Sequence, residues 1–437
     1  MTPKPETPTL GIPNEPDTMY WLYDILVGVG LAVAWPLARI RSSWREGFSE
    51  RLGRWPEAVV AKLHKRPVVW LHCASVGEVN AARPLITRLV ERHPEYAFLL
   101  TTTTVTGLAH AREGFDDAVV AALLPIDSGL VLRPLFRKLR PSTLIIFETE
   151  LWPQLLRTAR RAGTRIILAN GRISHRSFGR YKAIRPLMKS MLKAFDMLLM
   201  SGPESAERIR RLGAPPERIR VVGNVKWGAA VRAEGPVDLD LGSSRAPVLV
   251  AGSTHAGEEE LLLDAFARIR SDCPGARLIL APRHLKRLEG VEALLRTRGM
   301  DYVKRSAMQR AEPVGVAHVL LLDTMGELTG VYPHGTVAFL GGSLVPVGGH
   351  NMLEPAAAGV PTLYGPHVEN FAEIAGLLEA SGAAIRVADA DELAEKTLAL
   401  FSDPGHCEQM AAAARQTVKE QSVVLDHYLE VLEQVLT

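Results

Sequence analysis

Residues 70–85 read WLHCASVGEVNAARPL. An apolar run ends near Cys73, the turn Ser75–Val76–Gly77–Glu78 follows, and the next apolar residues fall at helical spacing. Strand, tight turn and helix form the unit from which parallel sheets covered on both faces are built. The same alternation recurs outward from this stretch. One set of short apolar runs is Val68–Cys73, Ala97–Thr101, Val119–Leu124, Leu144–Phe147, Arg165–Ala169 and Met197–Met200. Helical patterns such as Ala81–Arg92 and Leu151–Ala162 separate them. Gly228–Pro247 then loses apolar periodicity and reads as a linker. A second set follows: Val248–Gly252, Arg277–Ala281, Val319–Asp323, Val337–Leu340, Thr362–Tyr364 and Ala384–Val387. The expectation is α/β, two Rossmann-like doubly wound domains facing a cleft, over 39–228 and 248–437 with a linker at 229–247. Ligands of such sheets sit beyond the carboxyl ends of the strands.

Composition narrows the class. The 437 residues carry 51 Lys+Arg against 48 Asp+Glu, so no global field favours nucleic acid. Apolar residues make up 47% and charged residues 23%, an ordinary globular balance. Cys73, Cys273 and Cys407 lie far apart, without metal or disulfide spacing, and fit a reducing compartment.

The start of the chain is different. Residues 1–18 hold five prolines and read as a disordered leader, with Met19 a possible true start. Met19–Ala38 is twenty mostly apolar residues with one charge, Asp24, enough to span a bilayer core as a helix. Arg39, Arg41, Arg45, Arg51 and Arg54 follow it, which by the positive-inside rule puts the body on the cytoplasmic side. A helix lying in the interface is the other reading.

Polar residues gather after the strands. Glu78, at a helix start on the ligand side, is a candidate general base or a first-turn residue complementing the helix dipole. In IFETELWPQ, Glu148 and Glu150 stand two apart at a strand end, a spacing that points them to one side. NGRIS at 170–174 and VVGNVKWG at 221–228 follow, and Lys226 is placed to meet a phosphate or a developing negative charge. In AGSTHAGEEE, 251–260, Ser253 or Thr254 reads as an N-cap with Glu258 closing a capping box, and the helix start suits an anion. Arg283 in APRH, 281–284, suits a phosphate or base. Gly326 in DTMGEL, 323–328, lets backbone approach a ligand. GGSLVPVGGHNMLEPAAAG, 341–359, runs from a strand through a glycine-rich loop into a helix starting near Asn351. Glu354, one turn inside, could accept both ribose hydroxyls of a nucleotide. The loop lacks the G-K-[ST] of a Walker A motif.

Taken together, these segments resemble the lipid IVA 3-deoxy-D-manno-octulosonic acid (Kdo) transferases of lipopolysaccharide synthesis. The resemblance rests on ASVGE at 74–78, FETELWP at 147–153, NGRIS at 170–174, GNVK at 223–226, AGSTHAGEE at 251–259, APRH at 281–284, DTMGEL at 323–328 and GGHNMLEPAAAG at 348–359. It covers the chain from Met19 onward. The departures are the proline-rich leader and NGRIS, where the family more often has NARLS. The resemblance implies an inverting GT-B glycosyltransferase with CMP-Kdo as donor, the 6′-hydroxyl of lipid IVA as acceptor, and no metal or other cofactor. It implies Glu78 as base and Glu148 and Lys226 as supporting residues. Pro282, Arg283, Met325, Gly326, Glu327, Asn351, Met352, Leu353 and Glu354 are its implied CMP-binding residues. Two alternatives remain: a membrane-associated GT-B transferase using a UDP-sugar, and a nucleotide-binding module without catalysis.

Overall fold

The computed structural model describes residues 17–38, 47–230, 237–239, 241, 246–308 and 318–436. The chain divides into two compact units. One runs to Val225 and takes in Val424 onward; the other is Lys226–Val423.

The first unit is built on seven parallel strands: β1 (Val68–His72), β2 (Ala97–Thr102), β3 (Val119–Leu123), β4 (Thr143–Phe147), β5 (Arg165–Gly171), β6 (Met197–Met200) and β7 (Ile219–Val221). Their order is β3-β2-β1-β4-β5-β6-β7. Consecutive residues of β1 serve opposite cores: Val68 and Trp70 pack on one face, Val69 and Leu71 on the other. This is why the strand reads as an unbroken apolar run. Trp70 registers with Leu99 on one side and Leu144 on the other. The chain reverses direction across the sheet between β1 and β4, and such a switch point opens a crevice at the carboxyl ends.

The second unit repeats the scheme with β8 (Val248–Thr254), β9 (Arg277–Pro282), β10 (Tyr302–Lys304), β11 (Val319–Leu321), β12 (Val337–Leu340), β13 (Thr362–Tyr364) and β14 (Ala384–Arg386). The order is β10-β11-β9-β8-β12-β13-β14, again all parallel, with the switch between β8 and β12. Leu249 and Ala251 face one core, Val248 and Val250 the other.

Several boundaries differ from the sequence reading. The final helix, Val424–Leu436, belongs to the first unit: Tyr428, Leu429 and Leu432 are buried there beside Leu71 and Val225. Lys226 opens the second unit instead of closing the first. Within the expected linker, 231–236, 240 and 242–245 lie outside the described residues. Val237 donates its N–H to the Gly330 carbonyl and Leu239 is buried, so this part packs as an integral piece of the second unit. The short β7 and β10 were not expected from the sequence.

At the amino end, residues 1–16 and 39–46 lie outside the described residues, and with them most of the leader and Arg39, Arg41 and Arg45. A helix runs Asp17–Ala38 and so includes the last two residues assigned to the leader. Among the described residues no helix is long and apolar enough to cross a membrane. Its first turns pack on the body of the first unit. Tyr20 is buried, its hydroxyl 2.7 Å from Ser190 Oγ and its ring under the Arg157 guanidinium. Asp24 accepts from Gly129 N and from Gln154 Nε2. The helix is therefore docked by polar contacts on one side. Trp21, Leu22, Ile25, Leu26 and Val29 stand exposed. Arg51 donates to the Thr103 carbonyl at 2.7 Å, so this arginine is a structural tie rather than part of a free basic flank.

Candidate active site

Glu78 lies in the first turn of the helix Val76–Arg92, directly after β1. Ser75 caps that helix by accepting from Glu78 N, while the Glu78 carboxylate accepts from Ala74 N at 2.7 Å and Ser75 Oγ at 3.2 Å. The arrangement resembles a capping box, with Glu78 reaching the N–H one residue before the N-cap. Capping is not the whole of it. Burial pushes the Glu78 carboxyl up to about 7, the Glu148 carboxylate adds to the rise, and the Ala74 N–H opposes it. A carboxylate poised near neutrality at a switch point has the proton affinity of a general base.

Glu148 is brought there by backbone geometry. β4 ends at Phe147, and Glu148 takes φ +57°, a left-handed conformation that is uphill for a residue with a Cβ. Its N–H still pairs with the Ala169 carbonyl at 2.9 Å, so the turn is anchored to β5. Strand alternation thus does not govern Glu148 and Glu150, which follow the strand. The two nevertheless interact: burial and then Glu148 raise Glu150. Beneath them Cys73 is fully buried, and its thiol is held far above its usual range by burial and then by Glu78 and Glu148.

NGRIS and GNVK meet in space. Asn170, at φ +55°, accepts from Val225 N on its side chain and donates its own N–H to the Tyr428 hydroxyl. Tyr428 in turn donates to the Gly223 carbonyl at 3.0 Å. A Cβ at Gly223, φ +113°, would stand 2.6 Å from Val424 Cγ2, so this junction requires glycine. The tie fixes the backbone immediately before Lys226, whose Nζ lies 5.2 Å from the Phe371 ring centre.

In the second unit the nucleotide candidates sit beyond β9, β11 and β12. Pro282 is the last residue of β9 and Arg283 is exposed just after it. Met325 is 68% exposed, and Gly326, at φ +86°, follows it. Glu327 is engaged by Arg305 and by Thr324 Oγ1, so its side chain braces this turn, while Met325 and Gly326 are exposed. The helix after the glycine-rich loop starts at Leu353, with Met352 as N-cap, and has only five residues. Asn351 therefore precedes the helix instead of opening it. Glu354 is held by Asn351 Nδ2 at 3.0 Å and Thr329 Oγ1 at 3.2 Å; burial raises its pKa against the pull of these bonds and of Arg283. Leu353 and Met352 are buried.

Two features were not legible in the motifs. The helix after AGSTHAGEEE starts at Glu258 with Gly257 as N-cap, so neither Ser253 nor Thr254 caps it. Glu258 instead accepts from four backbone N–H groups, those of His255, Gly342, Ser343 and Leu344, at 2.6–3.2 Å. It clamps the glycine-rich loop to the end of β8. Ser253 takes φ +59° at a bulge, and Arg283 N then pairs with the Thr254 carbonyl. As a result, His255, His284 and His350 converge. Among the described residues, no three His, Cys, Asp or Glu side chains are disposed to hold a metal ion.

Residues 46–229 match the family model described as 3-deoxy-D-manno-octulosonic-acid transferase (kdotransferase). The 3-deoxy-D-manno-octulosonic acid transferase of Haemophilus influenzae is 33% identical over 373 residues, which cover 84% of this chain and 87% of that one. A bifunctional glycosyltransferase/methyltransferase of Fusobacterium nucleatum is 32% identical over 363 residues, 81% of this chain; the match spans 55% of that longer protein. A solved glycosyltransferase of Rickettsia africae superposes with a TM-score of 0.58 at 12% identity, covering 86% of this chain and 100% of that one, and bears on the fold alone.

Proposed function

Because the chain belongs to the 3-deoxy-D-manno-octulosonic acid transferase family and is a glycosyltransferase of lipopolysaccharide synthesis, we propose that it transfers Kdo from CMP-Kdo to the 6′-hydroxyl of lipid IVA, with inversion and without metal. The observation that carries the mechanism is the Glu78 carboxyl, lifted to about 7 beside Glu148. Glu78 takes the proton of the acceptor hydroxyl. The freed oxygen pair forms the new bond to the anomeric carbon of Kdo, and the bond from that carbon to the CMP phosphate oxygen breaks, its electron pair leaving with CMP. Glu148 keeps Glu78 basic enough for the step. Arg283 takes up charge growing on the phosphate, and Lys226 supports the same charge. Glu354, with Asn351, is suited to the ribose hydroxyls, and Met325–Gly326 with Pro282 to the remainder of the nucleotide. No cofactor is needed, because the donor is already activated by its phosphate ester.

The acceptor is a lipid, so the reaction belongs at a membrane surface, on the cytoplasmic side of the inner membrane. The exposed stripe Trp21, Leu22, Ile25, Leu26 and Val29 supports a helix lying in the interface. The test is direct: protein, CMP-Kdo and lipid IVA are incubated and products are weighed by mass spectrometry. A mass gain of one or more Kdo residues with release of CMP is expected. An unchanged acceptor, or turnover only with a UDP-sugar, rejects the reading.

A further inference from the structure

Three imidazoles come from three loops at adjacent strand ends. His255 follows β8, His284 follows β9 and His350 follows β12, and these strands lie side by side in the order β9-β8-β12. His255 and His350 straddle the switch point of the second sheet. Their Nε2 atoms are 2.7 Å apart and their rings are nearly parallel, at 8°. His284 meets His255 edge-on, ring centres 5.5 Å apart. At 2.7 Å one Nε2 must carry a proton and the other must accept it.

The place is shaped for this cluster. A Cβ on Gly342, φ +66°, would lie 3.1 Å from His350 Cδ2 and 3.3 Å from His255 Cδ2. Gly341 has no room for a side chain either, since its Cβ would stand 2.4 Å from the Ser253 carbonyl oxygen.

The neighbouring charges are unbalanced. Arg283 and Arg287 flank the imidazoles. Of the carboxylates, Glu258 is occupied by its four backbone N–H groups, and Glu259 by a bidentate pair with Arg287 at 2.8 and 2.9 Å and by Thr254 Oγ1. Glu354 is held by Asn351 and Thr329. Among the described residues no carboxylate is hydrogen-bonded to the three rings. The cluster presents ring N–H donors at the end of the sheet.

We propose that His255, His284 and His350 form the subsite for the carboxylate of the donor sugar, next to a phosphate site at Arg283. This rests on the reading above that the donor is a CMP-linked ulosonic acid. In such a donor one carbon bears both a carboxylate and the phosphate ester, so two anionic groups arrive side by side. Arg283 can meet one, and the imidazoles the other. His255 and His350 favour the neutral form: burial, then the neighbouring His255 and Arg283, hold His350 down at about 4, and burial with His284 lowers His255. An entering carboxylate reverses that balance, and the pair takes up a proton as the donor binds.

The test compares KM for CMP-Kdo with the inhibition constant of CMP, from pH 6.5 to 8.5, in wild-type protein, His350→Gln and the exposed-site variant His284→Asn. Wild-type donor KM should rise with pH while CMP inhibition stays nearly flat, since CMP lacks the carboxylate. In both variants donor KM should rise on the order of ten-fold, the effect of one lost charge-assisted hydrogen bond. Its pH dependence should flatten and CMP inhibition should be unchanged. Donor KM and CMP inhibition moving together would assign the cluster to the nucleotide and overturn the proposal; so would variants indistinguishable from wild type. Wild-type protein that does not consume CMP-Kdo at all would overturn the functional reading as well, and is told apart by that control alone.

Discussion

The Glu148 carboxylate acts on Glu78 across the switch between β4 and β1, and is second only to burial in raising Glu78 to about 7. A base must be ionised before it can take a proton. The acid limb of kcat/KM is therefore expected to have a midpoint near 7. In Glu148→Gln the like charge is gone, and the midpoint should move down toward the usual carboxylate range. A limb that stays put in the variant would mean that some other group controls it.

Glu78→Gln keeps the side-chain size and a carbonyl to accept from Ala74 N, but cannot act as base. Turnover is expected to fall on the order of 10²–10⁴-fold with CMP affinity retained. Stability should move the other way. The Glu78 pKa is raised on folding, so its contribution is intact below the unfolded value of 4.5 and is lost as pH rises through about 7. At pH 8 wild type thus bears a penalty that the variant escapes, on the order of 1–3 kcal/mol after allowing for partial exposure. Thermal unfolding at pH 5 and pH 8 checks this: the variant should gain at pH 8 and not at pH 5.

Twelve strands of the two sheets are visible in the sequence, eleven of them because nearly every residue is buried and the apolar run is unbroken, while the edge strand β14 is only partly covered. β7 and β10 escape notice because they are three residues long at sheet edges and only partly covered, with Val221 53% exposed. The positions of Glu78, Arg283 and Glu354 follow from strand ends. The Glu258 clamp does not, since its partners Gly342, Ser343 and Leu344 are more than 80 residues away. Neither does the pairing of His255 with His350, 95 residues apart. The return of Val424–Leu436 to the first unit is equally hidden: its amphipathic pattern says that one face is buried, not against which sheet.

Arg283→Ala and Glu354→Ala should each weaken CMP binding about 10- to 150-fold, the loss of one hydrogen bond to a charged group. Glu354→Gln separates the roles of the carboxylate. It keeps an acceptor for Asn351 Nδ2 and so preserves the fold, but accepts ribose hydroxyls less well. Calorimetry with CMP decides, and unchanged affinity in both alanine variants would move the nucleotide elsewhere.

Metal independence is testable without mutation. Arg283 and Lys226 are fixed cations in the proposed mechanism, so activity in excess EDTA is expected to equal that in its absence. A rate that collapses with chelator and returns with Mg²⁺ would recast Glu148 and Glu150 as metal ligands.

The helix Asp17–Ala38 gives the last prediction. Tyr20 and Asp24 hold one side of it to Ser190, Gly129 and Gln154, and the opposite side shows Trp21, Leu22, Ile25, Leu26 and Val29 to solvent. Each such side chain transferred out of water contributes about 1–2 kcal/mol. That contribution is not screened by salt, whereas attraction of basic residues to anionic lipid fades as the Debye length falls from ~10 Å at 0.1 M to ~3 Å at 1 M. Binding to vesicles of inner-membrane lipid should therefore persist at 1 M salt in full-length protein. Replacing Trp21, Leu22 and Leu26 together by Ser leaves the docked side intact, so the body should stay folded. Residual binding should then become salt-sensitive, carried by exposed arginines such as Arg54. Deleting the helix through Ala38 should give the same salt-sensitive remainder. If the triple variant sediments with vesicles at 1 M salt as well as wild type does, the exposed stripe is not what holds the protein at the lipid surface.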